Sequence, residues 1–138
     1  MTARDLISFQ ADNVGYQLEQ AFANLPESLR HERLVPSTST PHEMIEHLAE
    51  CYQAALEEAE GKSHDWGSFT LSAEDWDERM NLCRELRNKA LEALLSDDES
   101  KLKACSSYIV THDAYHVGQM AMLRVERDPK WDPYSIYR

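Results

Sequence analysis

Apolar side chains recur at three- to four-residue intervals through four separate stretches of this chain, with no strand-like alternation between them. That period builds helices with one buried face and leaves no room for a sheet. The first stretch runs from about Ala3 to Asn24, through Leu6, Val14, Leu18, Ala21 and Phe22. The second opens with Thr40 as a cap, Pro41 at the first helical position and Glu43 completing a capping box. Its stripe of Ile45, Leu48, Ala49, Tyr52, Ala55 and Ala59 stops at Gly61, a residue type favoured just past a helix end. Ser72 with Asp75 predicts the start of the third helix, which carries Trp76, Met80, Cys83, Ala90 and Leu94 and ends near Leu95. Ser96 with Glu99 predicts the fourth, running through Cys105, Ile109, His112, His116, Met120 and Leu123 to about Arg127.

The fold class is therefore all-α: a four-helix bundle with long connectors after helices one and two, which permit crossovers. A 138-residue chain with 42% apolar and 28% charged residues, four Gly and five Pro forms one domain spanning residues 1–138. The aromatic tail from Trp131 to Tyr137 is expected to pack back on the bundle.

Charge narrows the partners. A net −11 repels phosphate backbones, so neither nucleic acid nor an anionic membrane surface is an expected partner. The basic trio Arg124, Arg127 and Lys130 is better placed to complement a helix C-terminus. No apolar leader and no membrane-length apolar run is present, which implies a cytoplasmic protein, and Cys51, Cys83 and Cys105 are expected to be reduced core thiols.

The chemistry concentrates in three histidines. His112 and His116, four apart on one helix, project from the same face with Cβ atoms roughly 5 to 6 Å apart, a separation one metal ion bridges. His47, near the middle of helix two, is placed to supply a third ligand across the bundle. Three neutral imidazoles suit zinc, nickel, iron or copper and leave a coordination position for water or a thiol. Outer partners for the rings are to be sought among Glu43, Glu46, Glu50, Asp113 and Gln119. The segment His112-Asp-Ala-Tyr-His116 is similar to a metalloprotease helix, but Asp113 stands where the general-base Glu would be, and a protease is discounted.

Pocket candidates are Tyr108, Tyr115 and Glu50. Cys51, one turn after His47, is weighed as a fourth ligand or reactive thiol, with core packing preferred. His31, His42 and His64 are read as surface histidines, and Trp66 as anchoring its own loop rather than forming a lid with His64. Gly118, inside helix four, suggests close helix contact.

The combination of Glu46-His47-Leu48, His112-Asp-Ala-Tyr-His116-Val-Gly-Gln119 and the Leu123-Arg124 pair resembles the DinB/YfiT-like superfamily. The resemblance spans nearly the whole chain and implies a four-helix bundle, often a homodimer, whose three-histidine site binds zinc or nickel. On that resemblance the ligands are His47, His112 and His116, and the reaction is of a hydrolase or thiol-transferase type, with a low-molecular-weight thiol as one cosubstrate class. The alternative is a non-catalytic metal-binding or stress-associated bundle acting through dimerisation. A plain interaction module without metal is the third reading.

Overall fold

A computed structural model describes all residues from Met1 to Arg138. The helices are α1 (Ala3–Phe22), α2 (Pro41–Ala59), α3 (Trp76–Leu94), α4 (Glu99–Cys105) and α5 (His112–Arg127). A π-helical segment, Ser106–Thr111, joins α4 to α5 without a break in right-handed backbone, so these three pieces form the fourth rod of the bundle. Short 3-10 turns lie at Glu27–Leu29 and Pro133–Ile136.

The chain's own punctuation explains most of these boundaries. Thr40 and Glu43 exchange both hydrogen bonds of a capping box over Pro41. At the other end of α2, Gly61 has φ +76°, its N–H donates to the Glu58 carbonyl and that of Lys62 to the Glu57 carbonyl, a left-handed cap that glycine alone adopts without strain. Two starts differ from the sequence expectation. Asp75, not Ser72, caps α3, and Asp98, not Ser96, caps α4; in both cases an Asp carboxylate nearer the helix accepts the backbone N–H. Helix one stops at Phe22, because Asn24 takes a left-handed φ of +53°.

The relative direction of the helices follows from what each touches. Arg87 on α3 bonds the Ala11 carbonyl and Asp113, while Arg124 bonds the Ala21 and Ala23 carbonyls, so α1 and α5 run in the same direction. Arg79 reaches the His42 carbonyl near the start of α2, and residues 53–57 of α2 lie beside 86–93 of α3, so these two helices are parallel to each other. Parallel neighbours require a return over the full helix, about 28 Å at 1.5 Å per residue, which is why the connector after Gly61 is long. It is laced to α2: Leu71 N–H donates to Glu46 at 3.1 Å and Gly67 N–H to Glu50 at 2.7 Å.

The core runs through Val14, Leu18, Phe22, Ile45, Leu48, Tyr52, Leu94, Ile109, Val117 and Met120. Arg124 is buried, caps the α1 carbonyls and pairs with Asp128, so it complements the end of a helix as the charge pattern suggests. The tail docks on α1 through Tyr16 Oη to the Ser135 carbonyl and Trp131 Nε1 to the Gln20 carbonyl. Gly118 does not serve a close contact, since a Cβ built there meets nothing within 4 Å. The close approach belongs to Gly15, where a Cβ would lie 2.8 Å from an Arg87 guanidinium nitrogen.

Candidate metal centre

Two one-turn pairs face each other, His47 and Cys51 on α2 and His112 and His116 on α5. The Nε2 atoms of His47 and His112 are 3.1 Å apart and those of His112 and His116 are 3.0 Å apart. Cys51 Sγ lies 3.5 Å from His112 Nε2 and 3.8 Å from His47 Nε2. His47, Cys51 and His112 offer donor atoms all within 4.8 Å of one another, a cluster that could hold a metal ion. His47 is exposed, His112 half-buried and His116 buried, so the cluster opens to solvent along one edge.

Protonation favours ligation. Burial, together with the neighbouring imidazoles, pulls His112 and His116 down to about 4, so both are neutral at pH 7. The Gln119 Oε1 accepts from His116 Nδ1 at 2.8 Å, which places the proton on Nδ1 and turns the Nε2 lone pair to the cluster. Gln119 is in turn tied to the Tyr115 hydroxyl at 3.1 Å. If His112 used its Nε2 proton in a hydrogen bond, it could serve only one of its two neighbours, and its buried Nδ1 has no partner either way. A cation sharing the converging lone pairs satisfies what imidazoles cannot satisfy among themselves, so these residues fit a metal.

Of the outer partners sought in sequence, Gln119 alone bonds one of the three cluster rings. Glu43 belongs to the helix cap and to a bidentate pair with Arg33. Asp113 turns away from the imidazoles and is fully buried: Tyr52 Oη donates to its Oδ1 and Arg87 Nε to its Oδ2 at 2.8 Å. Burial raises the Asp113 carboxyl, against the opposing pull of Arg87 and Tyr52. This triad was missed in sequence; the available signal was that Asp113, Val117, Met120 and Arg124 continue the i, i+4, i+7, i+11 stripe that the other buried residues of α5 occupy.

The π segment was also unforeseen. Ile109, Val110 and Thr111 form a β-branched run that crowds a regular α-helix, and Thr111 Oγ1 donates to the carbonyls of Ser106 and Ser107, each at 3.1 Å. Such bulges recur next to functional sites because they reset which residue faces inward. Here the reset falls immediately before His112.

A family model for the DinB superfamily matches residues 10–120, a span containing all four residues of the cluster. The chain belongs to the DinB superfamily. No curated protein and no solved structure matches it.

In this DinB-superfamily chain the remaining candidates divide by position. Tyr115 is exposed and stacks edge-on against His116 with ring centroids 5.1 Å apart, at the rim of the cluster. Tyr108 is half-buried against the core, with its hydroxyl raised by burial and by Glu58. Glu50 accepts from the second connector, from Gly67 N–H and from His64 Nε2 at 3.0 Å. His31 and His42 stack on each other, 4.6 Å between centroids, away from the cluster.

His64 is not a surface histidine: its side chain is 6% exposed, held between Glu50 and Glu57 with Trp66 packed edge-on against it. The two carboxylates stabilise the imidazolium, so its pKa is raised above the ordinary 6.5, the Glu50 hydrogen bond being the largest cause. A raised folded value means this clamp contributes fully below pH 6.5 and is lost as pH rises through the folded value. An NMR titration of the imidazole is expected to show a midpoint above 6.5, abolished as a distinct transition in His64→Gln; a midpoint at or below 6.5 would refute the clamp.

A cavity of about 530 Å³ lies elsewhere, in the groove between α1 and α3, lined by Ala11, Leu18, Phe22, Leu48, Met80 and Leu91 among others. It shares only a wall, Tyr52 and Arg87, with the residues behind His112. No helix is long and apolar enough to cross a membrane.

Proposed function

We propose that this chain is a metal-dependent enzyme in which His47, His112 and His116 hold one divalent ion, zinc or nickel, for reaction with a small substrate. The observation that carries this reading is the convergence of three imidazole nitrogens at 3.0 and 3.1 Å, with two of the rings held neutral. A bound ion would lower the pKa of a coordinated water or low-molecular-weight thiol, supplying a nucleophile for hydrolysis or thiol transfer. The protein's part is to fix the donors. Gln119 sets the His116 tautomer, α2 and α5 hold the rings at one level, and the exposed edge beside Tyr115 and His47 admits substrate. Tyr115, Tyr108 and Glu50 are the side chains in this reading that line the approach to the ion. The acidic surface suits a small-molecule substrate in the cytoplasm rather than a nucleic acid.

A second reading, a non-catalytic metal-binding bundle, is favoured by one observation, the sulfur of Cys51 3.5 Å from His112 Nε2, where it could act as a further protein donor. Elemental analysis of untagged, chelator-free protein, followed by hydrolysis and thiol-transfer screens with and without added chelator, separates the outcomes. About one zinc or nickel per chain with chelator-sensitive turnover supports the enzyme. Metal without turnover supports the second reading, and protein that neither carries nor takes up metal sinks both.

A further inference from the structure

Cys51 belongs to the buried core by exposure, at 4%, yet its sulfur is aimed at the imidazole cluster instead of at the apolar side chains of the bundle. Donors around one tetrahedral ion at about 2.0–2.1 Å for nitrogen and about 2.3 Å for sulfur sit roughly 3.6 Å apart along a nitrogen–sulfur edge. Two of the three such edges, from Cys51 Sγ to His112 and His47, measure 3.5 and 3.8 Å, while His116 joins the cluster through His112. The sequence spacing repeats the message: His47 and Cys51 are separated by one turn on α2 as His112 and His116 are on α5, so two facing helices each present a pair. Cys83 and Cys105 take no part, being packed in the hydrophobic core.

We propose that Cys51 is the fourth ligand, so that the resting site is a closed set of three histidines and one thiolate. This rests on the three-histidine reading above and deepens it in two ways. A thiolate makes the donor set softer and tetrahedral, which selects zinc over nickel and over harder ions. It also defines how any substrate reaches the metal. With an ion bound, Cys51 would be the donor to give way to an incoming water or other acidic ligand, and its released thiolate would take up that ligand's proton to become a thiol. Charge and atoms are conserved, and no outside oxidant is involved.

The test uses cobalt(II) as the probe in chelator-stripped, full-length protein, with wild type, Cys51→Ser, Cys51→Ala and His116→Ala compared. Wild type is expected to bind about one cobalt per chain with the intense near-ultraviolet absorption of a thiolate-to-cobalt charge transfer and visible bands of tetrahedral strength. Cys51→Ser and Cys51→Ala are expected to keep the visible bands, lose the near-ultraviolet one, and bind zinc on the order of 100-fold more weakly, a loss at the upper end of what outer partners alone cost. His116→Ala is expected to lose cobalt binding. Circular dichroism and thermal unfolding of each variant exclude misfolding, and the two Cys51 variants guard against one failing to fold. Cobalt bound by wild type without the charge-transfer band, or a band that survives in Cys51→Ser, overturns the fourth ligand while the three-histidine site stands. No cobalt bound by wild type overturns both.

Discussion

Replacing His112 with alanine is expected to reduce bound metal from about one ion per chain to less than roughly a tenth, since its Nε2 is the one within hydrogen-bond distance of both other imidazoles. The same change is expected to leave the fold nearly untouched in the metal-free protein. His112 is only half-buried, and its Nδ1 is a buried polar atom with no partner, so alanine removes an unmet desolvation cost along with the packing it deletes. Metal-free wild type and His112→Ala should therefore unfold within about 1 kcal/mol of each other, whereas metal-bound wild type should be several kcal/mol more stable than either. Paired elemental analysis and denaturant unfolding measure both quantities. Full metal occupancy in His112→Ala would mean the cluster is a hydrogen-bonded core feature, and the metal reading would fall with it.

The largest stability effect is expected at the partner of the next residue, Asp113, which pairs with Arg87 on α3. Arg87→Met leaves Asp113 buried with only the Tyr52 hydroxyl as a partner, and breaking one side of a buried pair costs about 3–5 kcal/mol. For a domain of this size that lowers Tm by on the order of 10 °C or more. The double variant Arg87→Met with Asp113→Leu should recover most of the loss, because replacing both partners removes the uncompensated charge. A single-variant loss below about 1 kcal/mol would show that Asp113 sits protonated and content with Tyr52 alone, and that Arg87 is held mainly by the Ala11 carbonyl. The spacing between these two predictions matters: His112 and Asp113 are adjacent in sequence, but one side chain faces the solvent-edged cluster and the other the dry centre.

That adjacency also shows where the sequence could and could not be read. The four helices, the Thr40 capping box and the stop at Gly61 were legible because each is set by contacts within a few residues: 3.6-residue periodicity, a side chain reaching a backbone N–H, a left-handed turn. The pair His112 and His116 was legible for the same reason, and His47 because a polar ring on an apolar face needs a partner. The competition among nearby caps was less legible. Ser72 and Asp75, or Ser96 and Asp98, offer similar local chemistry, and which one caps depends on where the neighbouring helices fix the first turn. The role of Asp113 was hidden because its partners, Tyr52 and Arg87, are 61 and 26 residues away.

His64 makes the point most directly. A histidine in a polar connector has no periodicity to betray it, and only the return of that connector along α2, forced by two parallel helices, brings it between Glu50 and Glu57. Cys51 is the converse. Its burial followed from the apolar stripe of α2, but the direction of its sulfur depended on how α2 meets α5.

The sequence by itself determined the all-helical fold and most helix ends, and pointed to the three histidines, since periodicity and capping act over one or two turns. Tertiary structure alone decided the parallel pairing of α2 and α3, the π segment that sets His112, the buried Asp113 triad and the approach of Cys51 to the imidazoles. Each of those depends on side chains tens of residues apart meeting in a dry interior, where burial makes a pairing strong and its absence costly, and no local pattern records which partner will be there.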